Sequence, residues 1–196
     1  LIRNHAEAIV EEQGVVNNPN MIGYNFRMGE IEAAIGVEQL NKLNHMVSDR
    51  QRAAKALNVG LQGIEGLDIP VVRPESTHVY YLYPLVIDAK RIGVSRNNIV
   101  KALTSEGVPG LVEGYVNLHR LPMYRLKKAY GSSNGLPWSV GHRDVNYQDG
   151  ICPVAEKLHD ETYFSFLLCD YSLDNTDISL IVEAFKKVWR NLVHLR

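Results

Sequence analysis

From Glu30 to Leu61 apolar side chains return every three or four residues, at Ile31, Ala34, Ile35, Val37, Leu40, Leu43 and Val47, with no proline and only Gly36 and Gly60 as glycines. That spacing predicts one helix with a buried stripe, its later half made more polar by Arg50, Arg52 and Lys55. At 1.5 Å per residue it would run to about 45 Å, longer than one small domain needs, so it either kinks or bridges two domains, and bridging is the expectation. Gly60, Gly63 and Gly66 mark its end, and the pattern then changes. Residues 67–72 (LDIPVV) and 79–87 (VYYLYPLVI) read as strands, and Pro84 gives the second an irregular or edge position.

Further on, Ser95 is placed to cap a helix through Ser105 that turns Ile99, Ala102 and Leu103 inward, and Gly107 is its stop. Residues 109–115 read as a third strand. Residues 117–150 are rich in Gly, Pro, Asn and Tyr and predict loops around a short helix at 123–129. Pro153 suits the first turn of a helix through Thr162, and residues 164–169 (FSFLLC) form a short strand. Asp174, with Asp177 three residues on, caps a final helix carrying Ile178, Ile181, Val182, Phe185, Trp189 and Leu192 on one face. This alternation predicts an α/β or α+β fold. At the other end, residues 14–23 are a loop by composition. The chain opens on Leu1, and residues 1–12 read as a helix already under way without a cap, as in a fragment that starts inside an element.

The 196 residues are 45% hydrophobic and 22% charged, enough for one domain or for a small domain plus a piece of another. Twenty-one basic residues face 22 acidic ones, a net charge of −1, so no general basic field exists to gather nucleic acid or an anionic membrane. No apolar run approaches the roughly 18 to 20 residues of a spanning helix. Two cysteines, Cys152 and Cys169, cannot make a disulfide scaffold, which points to a reducing cytosol.

Candidate chemistry is concentrated in two places. Gly23-Tyr24-Asn25-Phe26-Arg27-Met28 lies in a loop just before the long helix. An amide donor and a guanidinium beside a helix N-terminus can hold an oxyanion. A turn asparagine and an Arg27–Glu30 pair would explain the same residues. Tyr115-Val116-Asn117-Leu118-His119, followed by Tyr124, is the second cluster. His119 could shuttle a proton or bind a polar ligand, or simply pack beside tyrosines. Cys152, His159, Cys169 and His142 match no zinc spacing, and no phosphate-loop or nucleophile-elbow motif occurs. Tyr80, Tyr81 and Tyr83 read as strand core.

Taken in order, these motifs resemble one family. GYNFRMGEIEAAIGVEQLNKL is similar to the GYNxRM-x-ELQAAIG-x-QL stretch of the DegT/DnrJ/EryC1/StrS aminotransferases, fold-type I enzymes that aminate keto-sugars. Tyr115 with Asn117-Leu118-His119 and Tyr124 resembles that family's Y-x-P-L-H…Y stretch. Cys152-Pro153-Val154-Ala155-Glu156 resembles its P-x-AE segment, and residues 1–5 its LLRNHG segment.

The resemblance implies the C-terminal part of such an enzyme. Residues 1–48 would be a remnant of the large pyridoxal 5'-phosphate (PLP) domain and the start of the bridging helix, and 49–196 the small domain. The parent would pass an amino group from glutamate or glutamine to a keto-sugar, by a ping-pong route. Asn25 would reach the PLP phosphate of a homodimer mate, Arg27 a substrate phosphate, and His119 and Tyr115 the substrate mouth. The family's Schiff-base lysine lies upstream of the LRNHG segment, so this chain alone is expected to be inactive. Gly29 stands where a capping residue is usual, Asn117 replaces the proline of Y-x-P-L-H, and Leu168-Cys169-Asp170 replaces L-P-L. These departures leave a keto-cyclitol open beside a nucleotide-linked sugar. Two rivals remain: a dehydratase of the same family, in which histidine replaces the lysine, and a non-catalytic dimerisation or regulatory module. An exposed apolar patch with no phosphate-sized site near Asn25 and Arg27 would favour the module.

Overall fold

The computed structural model describes residues 24–130, 135–141 and 144–196. The helix expected at 1–12, the loop at 14–23 and the metal candidate His142 lie outside the described residues. The chain divides into two compact units, residues 1–46 and 47–196, with the division inside the first helix.

Helix α1 is Glu30–Leu61, the bounds predicted from its spacing. Its burial differs from the expectation. The early stripe is open to solvent: Ile31 is 77% exposed and Leu40 68%, and Ile35, Val37 and Leu43 are exposed as well. The later half, expected to be the more polar one, supplies the buried residues Ala53, Ala54, Leu57 and Leu61. The periodicity identified the helix correctly but not which half meets a core. A stripe records that a face is apolar, not which surface covers it.

In the larger unit four strands form one antiparallel sheet in the order β1-β2-β4-β3: β1 Leu67–Asp68, β2 Tyr83–Ile87, β3 Leu111–Glu113 and β4 Tyr163–Phe166. The strands are shorter than predicted, because Pro70, Pro109 and Gly110 interrupt the ladder near its edges. Pro84 lies inside β2, opposite Ser165. Tyr83, Leu85 and Ile87 of β2 are buried at alternate positions. Helix α3 (Arg96–Ser105) is capped by Ser95, whose hydroxyl accepts from the Asn98 N–H. Helix α6 (Asn175–Arg190) begins with the Asp174–Asp177 capping box anticipated from their spacing. Ile99 and Leu103 of α3 and Ile178, Ile181 and Phe185 of α6 complete the core, with Phe164 of β4 stacked 6.5 Å from Phe185. Gly60 lets α1 and α6 cross closely, since a Cβ there would strike Val182.

A short helix α2 (Ala89–Ile92) follows β2. Between β3 and β4 the chain is mostly irregular, with a 3₁₀ turn at Leu118–Arg120, helix α4 (Pro122–Arg125) and helix α5 (Pro153–Lys157). The helix predicted through Thr162 changes register after Lys157, widening into a π turn at Leu158–Thr162. The observed α+β arrangement results from the all-antiparallel pairing of strands separated by helices. No helix among the described residues is long and apolar enough to cross a membrane.

Candidate functional site

Two groups of candidate residues belong to the two units. In the first unit, Tyr24 and Phe26 stack with ring centroids 5.1 Å apart and planes 17° apart. Such i, i+2 stacking turns the intervening Asn25 to the other side of an extended segment. Asn25 Oδ1 accepts from the Arg27 backbone N–H at 3.4 Å and from Arg27 Nε at 3.3 Å. Both side chains are exposed. With Oδ1 engaged, the donor end of the Asn25 amide faces the opposite way. An exposed amide donor braced beside a guanidinium fits an oxyanion such as a phosphate.

The helix N-terminus contributes less than expected. Glu30 and Glu32 occupy the first turn of α1, and the Glu32 carboxylate folds over Gly29, where a Cβ would strike it. These acids complement the helix dipole themselves. The anion-compatible groups of this loop are therefore the Asn25 and Arg27 side chains and not the helix end.

In the second unit, Tyr115 is 63% exposed and His119 only 8%. The segment between them follows β3 and is tied to α5 and the π turn. The Tyr115 N–H donates to His159 Nδ1 at 2.9 Å, and Asn117 Nδ2 donates to the Ala155 carbonyl at 3.4 Å. His119 Nε2 lies 2.9 Å from Glu156 Oε1 but off the line of a good hydrogen bond, so it is the buried polar side-chain atom without such a bond among the described residues. Glu156 also accepts from the backbone N–H groups of Gly150 (2.8 Å) and Cys152 (3.2 Å). The Gly150 N–H, reinforced by Cys152 and His119, holds the Glu156 carboxyl below the usual carboxylate range against the opposing cost of burial.

Arg120 forms a fork on Asp160, with bonds of 2.6 and 2.9 Å, and donates to Asp149 at 2.8 Å. Its hydrogen bonds lower the Asp160 pKa. Arg125 reaches the same Asp149 oxygen at 2.6 Å. His119, Asp149 and Glu156 present atoms within 4.8 Å of one another, a set unlike the Cys/His candidates considered from sequence. Two arginines and two backbone amides already occupy those carboxylates, so the donor set fits an ion-pair network better than a cation. Tyr124 packs with Trp138 and Tyr147, and Trp138 Nε1 donates to the Tyr147 hydroxyl at 3.0 Å. Cys152 is exposed and Cys169 half-buried, both as free thiols.

Thus Asn25 pairs with Arg27, and Tyr115 joins His119 through α5 and the π turn. Sequence patterning does not disclose His159, Arg120, Asp149 or Asp160, which meet across separations of 29 to 44 residues. Glu156 had one signal, its place in the Pro-x-Ala-Glu segment.

The sequence profile of the DegT/DnrJ/EryC1/StrS aminotransferase family matches residues 1–167. The protein MJ1066 of Methanocaldococcus jannaschii, uncharacterised, is 33% identical over 166 residues, 85% of this chain and 38% of its own length. The dTDP-4-dehydro-2,6-dideoxy-D-glucose 3-dehydratase of Saccharopolyspora spinosa is 32% identical over 140 residues, 71% of this chain and 30% of its own. The crystal structure of DesV from S. venezuelae superposes with a TM-score of 0.68 at 18% identity, covering 96% of this chain and 42% of that one. At that identity the likeness speaks for the fold, that of the fold-type I PLP enzymes. The chain spans less than half the length of each. With residues 1–167 matched to the profile, this chain belongs to the DegT/DnrJ/EryC1/StrS aminotransferase family.

Proposed function

We propose that this chain supplies the substrate- and cofactor-facing C-terminal part of a PLP-dependent enzyme that aminates a keto-sugar, most naturally a nucleotide-linked one, with glutamate or glutamine as donor. The observation that carries the reading is the exposed pair Asn25 and Arg27, braced by the 3.3 Å bond from Arg27 Nε to Asn25 Oδ1. Both side chains are exposed, as they must be if the oxyanion belongs to another polypeptide or to the rest of the enzyme. When bound, PLP supplies the electron sink for the exchange of the amino group. Asn25 would donate its amide N–H to the cofactor phosphate, and Arg27 would pair with a phosphate of the substrate. Tyr115, with its ring exposed, would meet the sugar. His119 is buried, so its contribution to the mouth runs through Glu156. Residues 1–48 would belong to the cofactor domain and 49–196 to the small domain. The apolar stripe of α1 would be covered by a homodimer mate or by the N-terminal half.

A second reading, dehydration of a keto-sugar in the same family, is favoured by the 32% identity to the Saccharopolyspora spinosa dehydratase. Incubating the complete enzyme with a nucleotide-linked keto-sugar and glutamate separates the two. Amination gives an amino-sugar and stoichiometric 2-oxoglutarate. Loss of a sugar hydroxyl without consumption of glutamate identifies the dehydratase, and turnover of neither kind identifies the non-catalytic module.

A further inference from the structure

The segment from Tyr115 to Arg120 is held at four positions, all on residues 149–160. Its first contact depends on the protonation pattern of one imidazole. The Tyr115 N–H donates to His159 Nδ1 at 2.9 Å, which requires that nitrogen to carry a lone pair. His159 Nε2 lies 3.9 Å from Asp160 Oδ1, beyond hydrogen-bond reach, so the carboxylate neighbours the ring without binding it. Asp160 is itself fixed by the Arg120 fork at 2.6 and 2.9 Å. Two bonds thus tie the segment to neighbouring residues of the π turn: Arg120 holds Asp160, and His159 receives the Tyr115 N–H.

Three further features serve the same join. Gly114 has φ +66, and a Cβ on it would come within 2.6 Å of the His159 carbonyl oxygen and 2.8 Å of Nδ1, so the absent side chain permits the approach. Arg96 Nη1 donates to the His159 carbonyl at 2.5 Å and to that of Tyr163 at 3.1 Å, while its Nε meets Glu113 at 3.2 Å. Arg96 is 8% exposed, so the turn presenting His159 is pinned from inside. His159 lies in the π turn, a distortion of helices that is frequent at functional sites.

We propose that His159 is a positioning residue: its Nδ1, presented by the π turn that Arg96 pins from inside, fixes the backbone of Tyr115 and thereby the wall that Tyr115 presents to substrate. The substrate-facing role of Tyr115 rests on the function proposed above, whereas the positioning of its backbone does not. The contact that matters is with an acceptor at the Nδ1 position and not with an imidazole as such. Asparagine places its Oδ1 near the position of Nδ1, while leucine fills a similar space without an acceptor.

The test is amide hydrogen exchange at Tyr115, followed by NMR on this chain as it stands, for the wild type, His159→Leu and His159→Asn. A hydrogen-bonded amide is protected relative to one that opens freely. The Tyr115 amide is expected to exchange at least tenfold faster in His159→Leu and to return to within threefold of wild type in His159→Asn. Amides of α6 should be unchanged in both, which shows that the fold is intact. Equal exchange at Tyr115 in wild type and His159→Leu overturns the proposal, as does failure of His159→Asn to restore protection in a folded protein. If His159→Leu does not fold, His159→Asn is compared with His159→Ser, too short for the contact, with the same two outcomes. Protection that follows the acceptor while the complete enzyme fails to aminate a keto-sugar would refute the function and leave the positioning role standing.

Discussion

The residue scale is where small changes separate one role from another. Gly114 and Gly107 both have left-handed backbone, φ +66 and +91, but only Gly114 has neighbours that a Cβ would strike. Replacing Gly107 with alanine therefore costs only the conformational part, about 1 kcal/mol. Gly114→Ala adds the displacement of His159 and is expected to cost about 2–3 kcal/mol. Thermal unfolding of the two variants checks the order, and equal shifts would mean that the Gly114–His159 approach is loose. Asn25 and Arg27 were legible as candidates because both residue types sit together in a short loop. Their mutual hydrogen bond was not, since a turn asparagine and a ligand asparagine share one sequence signature.

At the scale of elements, the helices were more legible than the strands. The Asp174–Asp177 spacing and Ser95 gave the starts of α6 and α3, because capping is local chemistry written within four residues. The strands shrank from the predicted lengths because pairing depends on partners far away in sequence, as between Leu111 and Phe166. The π turn was invisible, since its wider winding is imposed by contacts with Arg96 and Tyr115.

The join between α5, the π turn and the Tyr115 segment also predicts a response to acid. Gly150 and Cys152 amides hold the Glu156 pKa down, and Arg120 does so for Asp160. A carboxyl whose folded pKa is depressed stabilises fully above its unfolded value, here roughly pH 4–5, and loses that contribution as pH falls through the lower folded value. Thermal midpoints measured downward from pH 5 should fall less steeply in Glu156→Gln than in wild type. Parallel acid limbs would show that these carboxyls do not couple to folding.

For the whole molecule, the decisive feature is the uncovered apolar face of α1. Sequence periodicity reported that Ile31, Ile35 and Leu40 share a stripe; it carried no information on whether this chain covers it. Ile31 at 77% and Leu40 at 68% exposure show that within the described chain it does not. An apolar stripe of this length normally meets a partner. Leu40→Gln keeps helix propensity and touches no core, so its unfolding free energy, measured at a concentration where the chain is monomeric, should stay within about 0.5 kcal/mol of wild type. Sedimentation should show weaker association than wild type at matched concentration. Unchanged association would exclude a homodimer mate as the cover of the stripe and leave the N-terminal half.

The proposed chemistry also depends on groups outside this chain. The account holds that Asn25 and Arg27 face a cofactor whose Schiff-base lysine is not among the nine lysines of residues 42–187. The most direct measurement is to saturate this chain with PLP, reduce with borohydride, remove free cofactor and determine the intact mass. The predicted result is no stoichiometric adduct, only the scattered low-level labelling of surface lysines. One PLP fixed per chain at a single lysine, lost when that lysine is replaced, would contradict it.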